Sequence, residues 1–143
     1  MIPLQTQDSD YERRIRQSFA RQRVMQLIGA SLKRIEPGVV DIVLPFREDL
    51  TQQNGYIHAG IITTVADSAC GYAAYTLMPA GSEVLSVEFK VNLLRPAGGE
   101  TFVAEGRVLK AGKTLTVTRC DVYGRMGEET KLIATMLATM IRR

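Results

Sequence analysis

Residues 58–78 read HAGIITTVADSACGYAAYTLM, and between Ala59 and Met78 the one charged residue is Asp67. Ile61, Ile62, Val65, Ala66, Ala69, Cys70, Ala73, Ala74, Leu77 and Met78 cover nearly every side of a helix, so other structure must enclose it. About 20 residues at 1.5 Å each reach about 30 Å, the thickness of bilayer hydrocarbon. Thr63, Thr64, Asp67, Ser68 and Gly71 argue against lipid exposure, and the expectation is a helix enclosed in protein with no membrane partner.

Downstream, Met78-Pro79-Ala80-Gly81 stops the helix and the pattern changes to period two. Leu85, Val87, Phe89, Val91 and Leu93 share one strand face, and Ser86, Glu88, Lys90 and Asn92 the other. Pro96-Ala97-Gly98-Gly99 is a turn, and strands follow over 101–109, 113–123 and 131–141, so four strands in an antiparallel meander are expected. Upstream, 9–29 reads as a helix, with Ser9 as cap, Glu12 as its capping-box partner and Gly29 as stop. Its arginines at 13, 14, 16, 21 and 23 read as a solvated face. Two short strands at 30–35 and 39–46 flank Glu36-Pro37-Gly38. An apolar helix and a long antiparallel sheet pack by the sheet curling around the helix. This is an α+β fold in one domain over 1–143. One sheet cannot cover such a helix and also hide its own edges, so a homo-oligomer paired edge to edge is expected.

The 143 residues suffice for one core without staples. A net charge of +3 is too small for the basic stripe of a nucleic-acid binder, and nine aromatics without Trp leave little for base stacking. Cys70 and Cys120, with the single His58, offer no Cys/His metal cluster, and Cys70 reads as a buried free thiol. The first eight residues carry no basic-then-apolar leader, from which a cytoplasmic location is expected.

A carboxylate on an apolar helix is costly unless paired or used, and no cation lies within helical reach of Asp67. Nine residues earlier, His58 belongs to the run Gln52-Gln53-Asn54-Gly55-Tyr56-Ile57-His58-Ala59-Gly60, which leads straight into the helix. Free N–H groups at such a start, with the positive end of the helix dipole, favour an oxyanion, and small residues at 59 and 60 let a carbonyl approach.

This combination resembles the hotdog-fold acyl-CoA thioesterases, nearest the phenylacetic-acid-degradation-type (PaaI-like) branch. That pattern is Asn/Gln, Gly three residues on, His-Gly-Gly, then an acid on the central helix. Here it is matched by Gln52, Gly55, His58-Ala59-Gly60 and Asp67 with the same His-to-acid spacing. The resemblance covers about 35–142 and includes the strand from Ser86-Val87-Glu88 to Arg95-Pro96-Ala97. It departs at Ala59, where Gly is usual, and at Gln52, which is typical of the related 4-hydroxybenzoyl-CoA branch.

The resemblance implies a hotdog fold, a long central helix wrapped by a curved antiparallel sheet, with the N-terminal helix added. It implies hydrolysis of an acyl-CoA to a carboxylic acid and coenzyme A, without metal or redox cofactor. Asp67 would be nucleophile or general base. The Ala59 N–H, at the Ala59-Gly60 helix start, would polarise the thioester carbonyl, with the Gln52 amide as second donor. His58 would orient the loop and Gln52, and Ser86 would support the water, although its alternation places it opposite the apolar face. Asp67 would work across a subunit boundary from the partner's Gln52 and Ala59. The minimal active unit is then a dimer, and a homotetramer is the expected assembly. Arg95, Lys110 and Lys113 are the candidates for coenzyme A phosphates. Two other readings fit the residues: a hotdog hydroxyacyl-thioester dehydratase, with a His and an acid as acid/base pair, and a non-catalytic acyl-CoA sensor. Tyr72 and Tyr75 are candidates to line the acyl pocket.

Overall fold

The central helix, α3 (Ala59–Tyr75), is the axis around which the computed structural model is built; the structure describes residues 4–143. Met1, Ile2 and Pro3, part of the N-terminal stretch read above, lie outside the described residues. Ile62, Val65, Ala66, Ala69, Cys70 and Ala73 are buried, as the sequence of an enclosed helix requires. Gly60, Thr63, Thr64, Asp67, Ser68 and Gly71, at three- and four-residue spacing, remain at least partly open and form one stripe. The helix ends at Tyr75, three residues before the expected Met78, and the chain continues through a buried turn over Thr76, Leu77 and Met78.

Arg14 accounts for that ending. Its guanidinium donates to the carbonyls of Tyr75 (2.6 Å), Met78 (3.0 Å) and Pro79 (2.8 Å), lies 3.1 Å from the Asp8 carboxylate and stacks 4.4 Å from the Tyr75 ring centroid. Orphaned carbonyls at a helix C-terminus carry partial negative charge, which a cation offsets. Arg14 therefore does not belong to the solvated arginine face, whereas Arg16 does, pairing with Glu12 at 3.0 Å.

Among the described residues six strands form one antiparallel sheet: β1 (Ser31–Glu36), β2 (Val39–Pro45), β3 (Val84–Leu93), β4 (Thr101–Ala111), β5 (Leu115–Met126) and β6 (Glu129–Arg142). Their order is β1-β2-β4-β5-β6-β3. The expected four-strand meander is thus three strands, β4-β5-β6, and β3 pairs with β6 at the far edge instead of with β4. The link from Leu93 to Thr101 crosses the end of the sheet rather than turning tightly. Within it Gly99, at φ 139°, passes so close to Arg125 that a Cβ would lie 2.9 Å from its carbonyl oxygen. On the concave side Gly106 of β4 lets the helix settle onto the sheet, since a Cβ there would run into the Ala69 carbonyl.

The expected single N-terminal helix is two, α1 (Tyr11–Arg21) and α2 (Arg23–Ile28), broken at Gln22 with ψ at 96°. Asp10, not Ser9, precedes α1, and no side chain caps it. Gly29, left-handed at φ 79°, ends α2 as expected. Ile15, Met25 and Ile28 are buried against the core. Cys70 and Cys120 are buried free thiols, and their mutual hydrogen bond, then burial, push the Cys120 thiol well above its ordinary range. Among the described residues no helix is long and apolar enough to cross a membrane.

Candidate active site

The loop before α3 is built from local hydrogen bonds that its sequence dictates. Gln52 and Gly55 close a turn through Gly55 N–H to the Gln52 carbonyl (3.1 Å), and Gly55 takes φ 84°, which glycine adopts without strain. Gln52 Oε1 accepts the Asn54 N–H at 2.5 Å, and that assignment leaves the amide nitrogen as a donor. His58 is the N-cap of α3, its Nδ1 accepting the Gly60 N–H at 2.8 Å, which places the neutral ring's proton on Nε2. A Cβ on Gly60 would come within 3.1 Å of that Nδ1, so the glycine makes room for the cap. The Ile61 N–H reaches the His58 carbonyl at 2.9 Å. Among the described residues the Ala59 N–H has no acceptor. It is the one donor left open at a helix start whose dipole favours negative charge.

Gly60 gives its N–H to the His58 cap and supplies space, the role expected of a small residue there. One expectation changes. His58 orients the helix start through Gly60; no hydrogen bond joins it to Gln52 among the described residues, and Gln52 is held by its own turn.

Asp67 sits two turns further along α3. It is half-buried rather than immersed in apolar side chains, and Oδ1 accepts the Ser86 hydroxyl at 2.6 Å. Simple alternation puts Ser86 on the wrong face, and a bulge in β3 corrects this. The β3–β6 register shifts between Ser86 and Glu88. Before the bulge Ser86 lies opposite buried Met140; after it Phe89, Val91 and Leu93 lie opposite buried Ala138, Met136 and Ala134. The extra residue turns Ser86 toward the helix while the later apolar residues keep that face.

In one chain these residues fall into two clefts. Asp67 and Ser86 share a cleft of about 450 Å³ with Gln22, Ser68, Tyr72 and Val84. Gln52, His58 and Ala59 line another of about 600 Å³, with Tyr56, Leu94 and Arg95. Eight residues of helix, about 12 Å at 1.5 Å per residue, separate Ala59 from Asp67. Tyr72 thus lines the acid's cleft as expected. Tyr75 does not, since it turns inward to donate to the Ser82 carbonyl at 2.8 Å. Arg95 edges the second cleft while donating to the Leu132 carbonyl at 2.8 Å. Lys110 and Lys113 flank the β4–β5 turn at the opposite end of the sheet from Arg95, so one chain does not bring the three cations together. Gln22 escaped sequence reading altogether, because its partners are 46 and 50 residues away.

Comparison with known proteins gives the family and agrees with the fold. Residues 54–131, more than half of the chain, match the model of the thioesterase superfamily. The crystal structure of a thioesterase family protein from Silicibacter pomeroyi is 49% identical, with a TM-score of 0.91 over 92% of this chain and 97% of that one. The PaaI protein of E. coli, from the phenylacetic acid degradation operon, shares the fold at 16% identity, with a TM-score of 0.86 over 96% of each chain. Acyl-coenzyme A thioesterase 13 of Homo sapiens is 32% identical over 90 residues, 62% of this chain and 64% of that protein. Family match, fold and motif together show that this chain belongs to the thioesterase superfamily, a hotdog-fold thioester hydrolase.

Proposed function

We propose that the protein hydrolyses acyl-CoA thioesters to a carboxylic acid and coenzyme A, at a site that two copies of the chain build together. The observation that carries this reading is the separation within one chain. The acid that acts on the thioester and the donor that polarises it open into different clefts about 12 Å apart along one helix.

Strand β3 supplies the means of joining them. It is a sheet edge of 10 residues, and Leu85, Phe89 and Leu93 stay 49%, 45% and 55% exposed in the single chain. An open apolar edge of this length invites pairing with another strand. Pairing two β3 strands antiparallel about a two-fold axis sets the Ser86 end of one beside the Leu93 end of the other. The Asp67 cleft of one copy then faces the partner's Gln52–Ala59 cleft. The same pairing carries the partner's Arg95 toward the end of the sheet that bears Lys110 and Lys113, a set of cations suited to coenzyme A phosphates. The expected tetramer is a pair of such dimers.

In that site the thioester carbonyl oxygen points at the Ala59 N–H with the Gln52 amide beside it. One such donor is worth about 3 kcal/mol as negative charge grows on oxygen. Asp67, oriented by the Ser86 hydroxyl, either takes the proton of an attacking water or attacks the carbonyl carbon itself. The tetrahedral intermediate collapses with loss of the coenzyme A thiolate, and water completes the acid in the second case. The structure favours hydrolysis over the dehydratase reading, because His58 Nδ1 is committed to the Gly60 N–H.

The test is thiol release from a panel of short, medium, long-chain and aryl acyl-CoAs. Turnover supports hydrolysis, and binding without turnover supports the sensor instead. Asp67→Asn lowers kcat by about 10²–10⁴-fold with an unchanged melting temperature. A variant that keeps near wild-type turnover removes Asp67 from the mechanism.

A further inference from the structure

The cleft that holds Asp67 continues past it along α3 and ends on a polar wall. Gln22, at the break between α1 and α2, donates through Nε2 to the Tyr72 hydroxyl at 2.9 Å, and its Oε1 accepts the Ser68 hydroxyl at 2.9 Å. Ser18 lies 3.2 Å from the same Tyr72 hydroxyl. All four line the cleft with Asp67, and Arg21 stands at its rim. The backbone breaks at Gln22, and its side chain lines the cleft.

Part of the hydrogen-bonding capacity of this wall is unused. Gln22 Nε2 carries two hydrogens and uses one on Tyr72. Tyr72 and Ser18 share one hydrogen bond between two hydroxyls, so a hydroxyl hydrogen is also left over. Among the described residues the wall thus leaves two donor hydrogens without a partner, in side chains that line the cleft. A hydrocarbon chain pressed against them strips their water and returns nothing, whereas an oxygen on the acyl group accepts from them. Tyr72 lies five residues beyond Asp67, about 7.5 Å along the helix at 1.5 Å per residue, the reach of about six carbons from the thioester.

We propose that Gln22, held by Ser68 and Tyr72, is a specificity-determining residue that selects acyl groups bearing a neutral oxygen substituent, hydroxyl or keto, about six carbons from the thioester over all-hydrocarbon chains of equal length. This rests on the acyl-CoA hydrolase reading and adds the class of acyl group. Ser18, Ser68 and Tyr72 act as positioning residues for the Gln22 amide.

The test compares hexanoyl-CoA with its ω-hydroxy derivative, in the wild type and in Gln22→Leu and Tyr72→Phe, with melting temperatures taken alongside. The wild type is expected to give about tenfold higher kcat/KM for the hydroxylated thioester, with the difference mainly in KM. In Gln22→Leu the preference collapses to within about twofold or reverses, and Tyr72→Phe, which frees the amide to swing, lowers it in part. Equal kcat/KM for the two thioesters in the wild type, or an undiminished preference in a folded Gln22→Leu, overturns the inference while leaving the hydrolase reading standing. Absence of cleavage of both thioesters and of the wider panel overturns the hydrolase reading, and this inference with it.

Discussion

His58 and Gly60 make one device out of two residues, and it gives a prediction at that scale. Replacing His58 by Ala removes the cap from the Gly60 N–H and should cost about 1 kcal/mol of stability, seen as a lowered denaturation midpoint. Gly60→Ala should cost about as much although His58 is still present, because the added methyl group displaces the imidazole from its 2.8 Å bond. An unchanged midpoint in both variants would show that the cap does no work. The motif was legible in the sequence because every bond that gives it meaning is local. Gln52 to Gly55, Gln52 to Asn54 and His58 to Gly60 each span three residues or fewer. Ser86 was not, because a bulge one residue further on reverses the face that alternation assigns to it.

Between elements, the contact of α3 with the sheet depends on Gly106, and the end of α3 depends on Arg14. Gly106→Ala puts a methyl group into the Ala69 carbonyl and should destabilise the fold by about 1–3 kcal/mol in urea denaturation, as overpacking does. Arg14→Met keeps much of the side-chain bulk but strands the carbonyls of Tyr75, Met78 and Pro79, and should cost about 2–3 kcal/mol. A cost below about 0.5 kcal/mol would return Arg14 to the surface face that its neighbours occupy. Hydrophobic periodicity is an intra-element signal, which explains why helix and strands were read nearly to their ends while Arg14 was misplaced among exposed arginines. The position of β3 was equally hidden. Its alternating sequence fits pairing with β4 as well as with β6, and only the crossing link fixes the choice. Cys70 and Cys120, sealed between helix and sheet, should resist a thiol reagent until the chain is unfolded, when both react. Prompt labelling in the native state would contradict that packing.

At the scale of the molecule, the proposed active unit is a pair of chains, each carrying two half-sites that β3 pairing completes with the other's. The most direct test mixes two inactive chains. Asp67→Asn removes the acid. Ala59→Pro removes only the open N–H, since proline suits the first position of a helix and His58, at φ −58° and ψ 137°, already has the conformation that precedes proline. Each variant alone should be nearly inactive. Co-expressed in equal amounts, they should recover about one quarter of wild-type specific activity in acyl-CoA hydrolysis, because half of the dimers are mixed and each of those holds one intact site. Recovery to that level is the predicted result, and a mixture as inactive as its two components would contradict the shared site.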